Sequence, residues 1–192
     1  RNGELYIREA SEENVIVTVD GNTIISGDNY FGQISVGSFS TGAEMLIQNN
    51  IIKSRGAGIY MYDYYNAEPN ISGNTITGTT KEGRGIYLSG KIKPIIKNNT
   101  IEGKHNAIEM EYNDANGDGS STITGNVIKD NGGYGIKINQ YAKPVISLND
   151  IENNSGYAVD NQTTFTVDAR NNWWGKALTA TIESGDNPRA LD

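Results

Sequence analysis

The chain has 192 residues and carries 16 lysines and arginines against 23 aspartates and glutamates, a net charge of −7. That balance repels a nucleic-acid backbone, and the absence of cysteine excludes both a disulfide framework and a thiolate metal site. No apolar run approaches the length of a membrane-spanning helix, so no membrane insertion is expected, and the composition fits a secreted or cell-surface protein.

From the N-terminus, "RNGELYIREASEEN" at 1–14 lacks the apolar stretch of a signal peptide and reads as a cap or linker. A repeat then begins. Asparagine and isoleucine each occur 24 times, a paired enrichment that points to a periodic architecture. The pattern apolar, any, Gly or Asn, Asn, any, apolar reads "VDGNTI" at 19–24, "IQNNII" at 47–52, "ISGNTI" at 71–76 and "IKNNTI" at 96–101. It continues as "ITGNVI" at 123–128, "ISLNDI" at 146–151 and the degenerate "ARNNWW" at 169–174. The second asparagines, Asn22, Asn50, Asn74, Asn99, Asn126, Asn149 and Asn172, follow one another at intervals of 23 to 28 residues. A constant motif at variable spacing is what stacked coils with loops of unequal length produce.

After each asparagine motif and a Gly-rich turn comes a second, alternating motif: "QISV" at 33–36, "GIYMY" at 58–62, "GIYLS" at 85–89, "AIEME" at 107–111, "GIKIN" at 135–139 and the weaker "AVDN" at 158–161. Period-two alternation rich in isoleucine predicts half-buried strands. Short strands recurring in every coil, too close in sequence for helical crossovers, predict an all-β fold: one parallel β-helix domain of about six to seven coils, with repeats over about 15–175. Equivalent residues then lie about 4.8 Å apart, so the asparagines stack into a ladder of mutually satisfied amides. The preceding residues, Gly21, Asn49, Gly73, Asn98, Gly125, Leu148 and Asn171, are placed in left-handed bends, where leucine is the strained exception. Trp174 takes an inward slot at the end of the core, and Trp173 faces outward. Residues 176–192 read as a C-terminal cap or linker, and the chain reads as part of a longer protein with neighbouring domains.

These motifs resemble the right-handed parallel β-helix repeat proteins of the pectate-lyase-like superfamily, especially the NosD-like and carbohydrate-associated branch. "DARNNWWG" at 168–175 resembles that branch's final-rung motif. The resemblance implies a right-handed winding, and a ligand along the outer face of the sheet formed by the second motif. The superfamily holds both enzymes and binding modules, so the activity has to be argued from the face itself. Its outward columns run Ser35, Tyr60, Tyr87, Glu109, Lys137, Asp160 and Gly37, Tyr62, Ser89, Glu111, Asn139, Gln162. Tyrosines on a sheet can stack on sugar rings and hydrogen-bond their hydroxyls, with Tyr64 and Tyr65 as a wall. The predicted ligand-binding set is Tyr60, Tyr62, Tyr87, Glu109, Glu111, Lys137 and Asn139. Glu109, Lys137 and Asp160 are the candidates for acid–base catalysis, although the plainer reading of these charges is a mutually paired ladder. His105, the only histidine, reads as a turn residue. In "DANGDG" at 114–119, Asp114, Asn116 and Asp118, with the Ser120 carbonyl, match the first half of a calcium loop, but Gly125 stands where the bidentate glutamate belongs. The expected function is a non-catalytic, extracellular or cell-surface module that binds polysaccharide, with calcium ordering the 114–118 loop. The alternatives are a calcium-assisted polysaccharide lyase using Lys137 as base, and a structural spacer.

Overall fold

Each asparagine motif forms two short strands joined by a sharp bend, and each alternating motif forms a third strand. A computed structural model describes residues 4–10, 16–25, 34–39, 44–63, 67–112, 115 and 120–176. Equivalent strands pair in parallel into three sheets. The first contains β1 (Leu5–Ala10), β4 (Ile34–Phe39), β7 (Ile59–Asp63), β10 (Arg84–Gly90), β13 (Asn106–Tyr112), β16 (Ile136–Gln140) and β19 (Val159–Asn161). The second contains β2 (Ile16–Asp20), β5 (Glu44–Gln48), β8 (Asn70–Ser72), β11 (Ile95–Lys97), β14 (Ser120–Thr124) and β17 (Lys143–Ser147). The third contains β3 (Thr23–Ile25), β6 (Ile51–Ser54), β9 (Thr75–Gly78), β12 (Thr100–Glu102), β15 (Val127–Lys129) and β18 (Asp150–Glu152). Five inter-strand steps separate the first and last strands of each six-stranded sheet, slightly fewer than the expected coil number. The segment read as an N-terminal cap supplies β1, paired in register with β4.

The core is made of columns. Ile47, Ile71, Ile96, Ile123 and Ile146 lie above one another on the second sheet. Ile52, Ile76, Ile101, Ile128 and Ile151 do so on the third. All ten are fully buried. The predicted inward residues of the first sheet, Ile59, Met61, Ile86, Leu88, Ile108, Met110, Ile136 and Ile138, close the third side. The glycine that opens the second motif has a steric cause. A Cβ on Gly58 or Gly85 would sit 2.5 or 2.4 Å from the Cγ2 of Ile76 or Ile101, respectively. The isoleucine column occupies the space a side chain would need.

The asparagine ladder is complete. Nδ2 of Asn22, Asn50, Asn74, Asn99, Asn126 and Asn149 donates to Oδ1 of the asparagine one coil on, at 2.9–3.0 Å. Each Oδ1 also accepts the backbone N–H of the preceding rung's asparagine. The second amide proton of Asn99 goes to the Ile71 carbonyl at 2.9 Å, so a buried amide is fully satisfied.

All seven residues before the ladder have positive φ, from 55° at Asn98 to 67° at Gly21. Their Asn/Gly alternation is also steric. A Cβ on Gly73 would meet Asn49 Oδ1 at 2.7 Å, and one on Gly125 would meet Asn98 Oδ1 at 2.5 Å. Asn49 and Asn98 each lie over a following glycine. Leu148 breaks this order: it holds φ 57° with 70% of its surface exposed. Leu148→Gly is therefore expected to stabilise the fold by about 1 kcal/mol and to raise the melting temperature by roughly 3 °C. Leu148→Asn should gain less, because Asn171, not glycine, occupies the next bend. An unchanged melting temperature for Leu148→Gly would show that the bend carries no strain.

Candidate functional site on the outer face of the first sheet

The outward columns align as expected. Ser35, Tyr60, Tyr87, Glu109, Lys137 and Asp160 are successive register partners, as are Gly37, Tyr62, Ser89, Glu111 and Asn139. The interactions differ from the expectation in two respects. The tyrosine rings pair with one another. The Tyr60 and Tyr87 rings stack face to face, with centroids 5.3 Å apart and planes 10° apart, and Tyr62 tilts against Tyr60 at 5.9 Å. The Arg84 guanidinium covers the Tyr87 ring at 4.3 Å from its centroid. The Tyr87 ring thus contacts both Tyr60 and Arg84, and its hydroxyl donates to Glu111 Oε2 at 2.8 Å. Burial and that hydrogen bond push its phenol well above the usual tyrosine range. Successive rungs are close enough for rings to pair with each other.

The second difference concerns the charges. Glu109, Lys137 and Asp160 do not form a paired ladder. Glu109 is only 3% exposed and is held by Arg84, whose Nε donates to Oε2 at 2.6 Å, while Asn106 Nδ2 donates to the same oxygen at 2.8 Å. Burial works to raise the Glu109 pKa, but the hydrogen bonds from Arg84 and Asn106 and the charge of Arg84 hold it below the usual carboxylate value. Lys137 makes no ion pair among the described residues; its ammonium lies 5.8 Å from the centre of the Tyr134 ring. Asp160 is buried, accepts from Gln162 Nε2 at 2.7 Å through Oδ1, and leaves Oδ2 without a partner. Of the expected calcium ligands, Asp114, Asn116 and Asp118 lie outside the described residues, as do Tyr64 and Tyr65; Ser120 is exposed at the start of β14. Among the described residues no cluster of three or more His, Asp or Glu is placed to hold a metal, and no helix is long and apolar enough to cross a membrane.

A cleft of about 600 Å³ opens beside the tyrosine stack, lined by Ala57, Tyr60, Lys81, Glu82, Gly83, Arg84, Tyr87, His105, Asn106 and Glu109. It exists because the segment joining the third sheet to the first is longer in one coil than in its neighbours. Nine residues separate Ile76 from Gly85, against six between Ile52 and Gly58 and between Ile101 and Ala107. The additional length forms a loop at 79–83. Glu82 ties it to Arg55 at 2.7 Å. The His105 N–H donates to Gly83 O at 2.9 Å, and the Lys81 N–H to Gly103 O at 3.1 Å. The loop makes one wall, Tyr60 and Tyr87 the other, and Arg84, Asn106 and Glu109 the floor.

Beneath the loop lies a residue that sequence reasoning passed over. Lys104 is fully buried. Its Nζ reaches two coils back to Ser54 O (2.7 Å), Ser54 Oγ (2.6 Å) and Gly56 O (2.8 Å). Its own N–H donates to Asn131 Oδ1, and Asn131 Nδ2 donates to Asn154 Oδ1 at 2.8 Å. Lys104 thus stands at the end of a second, shorter ladder. In the coil with the longer segment the backbone leaves that column, and the lysine stem spans the gap. Burial lowers the Lys104 pKa to about 7.

Residues 5–173 match the family profile described as right handed beta helix region. The chain belongs to the right-handed β-helix family. No curated protein and no solved structure matches it at a significant level. The family match begins at β1, in agreement with the place of that strand in the first sheet. On this right-handed β-helix, sequence reasoning missed Arg84, Asn106 and the loop residues Lys81 and Glu82, and assigned His105 to a turn without seeing that the turn borders a cleft. The one available signal was segment length: the Gly-rich segment after Asn74 is longer than its neighbours.

Proposed function

We propose that this β-helix is a non-catalytic saccharide-binding module of a secreted or cell-surface protein, acting through the cleft beside Tyr60 and Tyr87. One observation carries the reading: a concave surface joins an aromatic wall to hydrogen-bond donors that the fold does not consume. Lys81 makes no ion pair among the described residues, His105 is exposed, and Arg84 uses only Nε and Nη2 on Glu109. Such donors match sugar hydroxyls, and a few placed polar groups on a partly apolar cleft are the usual composition of a small-ligand site.

The state of Glu109 favours binding over hydrolysis. A carboxyl acting as general acid needs a raised pKa, whereas Arg84 and Asn106 hold Glu109 ionised. Lys137 sits with its ammonium 5.8 Å from the centre of the Tyr134 ring. The carbohydrate-associated branch suggested by the motifs, and calcium at the 114–118 loop, belong to the same proposal.

The test is a titration against cello-, manno- and galacturono-oligosaccharides, with the same mixtures assayed for unsaturated product and new reducing ends. The Lys81→Gln/His105→Ala variant changes two surface side chains and should retain the fold while weakening binding about tenfold or more, the range for hydrogen bonds to charged groups. Unchanged affinity in that variant, or no binding by the wild type, would overturn the cleft as the site. Product formation would overturn the non-catalytic reading.

A further inference from the structure

We infer that the saccharide surface has a second contact on the last described coil, where Tyr157 offers the open end of an aromatic stack to a further sugar ring. This rests on the reading of the cleft as a saccharide site. The column at the entry to the first sheet runs Ala57, Arg84, Asn106, Tyr134 and Tyr157, since the small residues that follow them, Gly58, Gly85, Ala107, Gly135 and Ala158, succeed one another in the backbone hydrogen bonding. Tyr134 and Tyr157 stack with centroids 6.0 Å apart and planes 25° apart. Among the described residues Tyr157 ends its column. Its only ring contact among the described residues is Tyr134, and half of its surface is exposed (50%).

A polar group nearby fits the same ligand chemistry. Lys137, which makes no ion pair among the described residues, supplies an ammonium beside the Tyr134 ring. A sugar ring combines an apolar face for the aromatic with hydroxyls for the ammonium. Glu109 and Asn106 lie two coils from Tyr157, about 10 Å at the strand spacing, and Tyr87 in the wall of the cleft lies three coils away, about 14 Å. An oligosaccharide running along the solenoid axis, with about one ring per coil, would need about four residues to touch both ends.

The experiment is a length series of the same cello-, manno- and galacturono-oligosaccharides, from two to six residues, titrated calorimetrically. Affinity should rise about tenfold between the disaccharide and the tetrasaccharide, then level off. Tyr157→Ala should abolish that rise while leaving disaccharide affinity unchanged and lowering the melting temperature by only a few degrees for the lost ring stack, whereas Lys81→Gln/His105→Ala should weaken every length. Tyr157→Phe, which keeps the ring, should preserve most of the increment. If Tyr157→Ala binds all lengths as the wild type does, or affinity is independent of length, the second contact is wrong and the cleft reading stands. If the wild type binds none of the series, the saccharide reading itself falls, and this inference with it.

Discussion

Lys104→Ala should lower folding stability by about 3–5 kcal/mol, the range for removing one partner of a buried charged network, and the melting temperature by roughly 10 °C. The expectation rests on what the ammonium satisfies. Ser54 O and Gly56 O are carbonyls that need donors, and Lys104 Nζ supplies both within 2.8 Å. Alanine would orphan them and leave a void where the stem passes under the 79–83 loop. Lys104→Met restores most of the volume but no donor, so it should fall between alanine and wild type. A fall below 1 kcal/mol for Lys104→Ala would mean that water replaces the ammonium without difficulty.

The same residue sets a pH dependence. Burial places the folded pKa near 7, against 10.5 for an ordinary lysine. Between those values the unfolded chain holds a proton that the folded chain has released. Lys104 therefore contributes most above about 10.5, contributes progressively less as pH falls, and reaches a floor below about 7. The amine remains bonded in both states: neutral, it donates to the two carbonyls and accepts from Ser54 Oγ–H; charged, it donates to all three oxygens. The melting-temperature difference between wild type and Lys104→Met should thus rise with pH from 7 to 9.5, with a slope of up to about 1.4 kcal/mol per unit. A difference that is flat or falls over that range would place the folded pKa above the range.

Asn99→Ala is the second large expected effect, about 3–4 kcal/mol by equilibrium denaturation, with an unchanged denaturant slope. Asn99 Oδ1 accepts both the N–H and Nδ2 of Asn74, and its own Nδ2 serves Asn126 Oδ1, Ile71 O and Lys97 O. Removing it leaves buried donors and acceptors unpaired on two neighbouring rungs at once. Asn22, at the exposed start of the ladder, accepts nothing from an earlier rung among the described residues, and its alanine variant should cost about 1 kcal/mol. Equal costs at the two positions would refute the ladder as a cooperative element.

Much of the architecture was legible before any coordinates. The asparagine spacing, the Gly/Asn bends, the isoleucine columns and the register of the outward residues all follow from one repeated pattern. The exception it singled out, Leu148, does adopt the left-handed conformation. The site was legible only in part. Its columns were correct, but the pairing of Tyr60 with Tyr87 and of Glu109 with Arg84 was not, because alternation says which way a side chain points and nothing about which neighbour it meets. Ser35 shows the same limit: it points outward as read, yet it is buried and donates to Glu4.

What the sequence by itself determined is the winding, because repeated motifs report contacts between equivalent positions one coil apart, and these recur often enough to be read. What only the tertiary structure decided is the cleft and its support. The cleft comes from a difference in the length of one connecting segment, and its key contacts join inequivalent positions: Arg84 crosses to Glu109 on the next coil, and Lys104 reaches back across two. Such diagonal contacts occur once each and leave no period behind. They are set by the space that a longer loop opens and by the buried carbonyls that some donor has to satisfy.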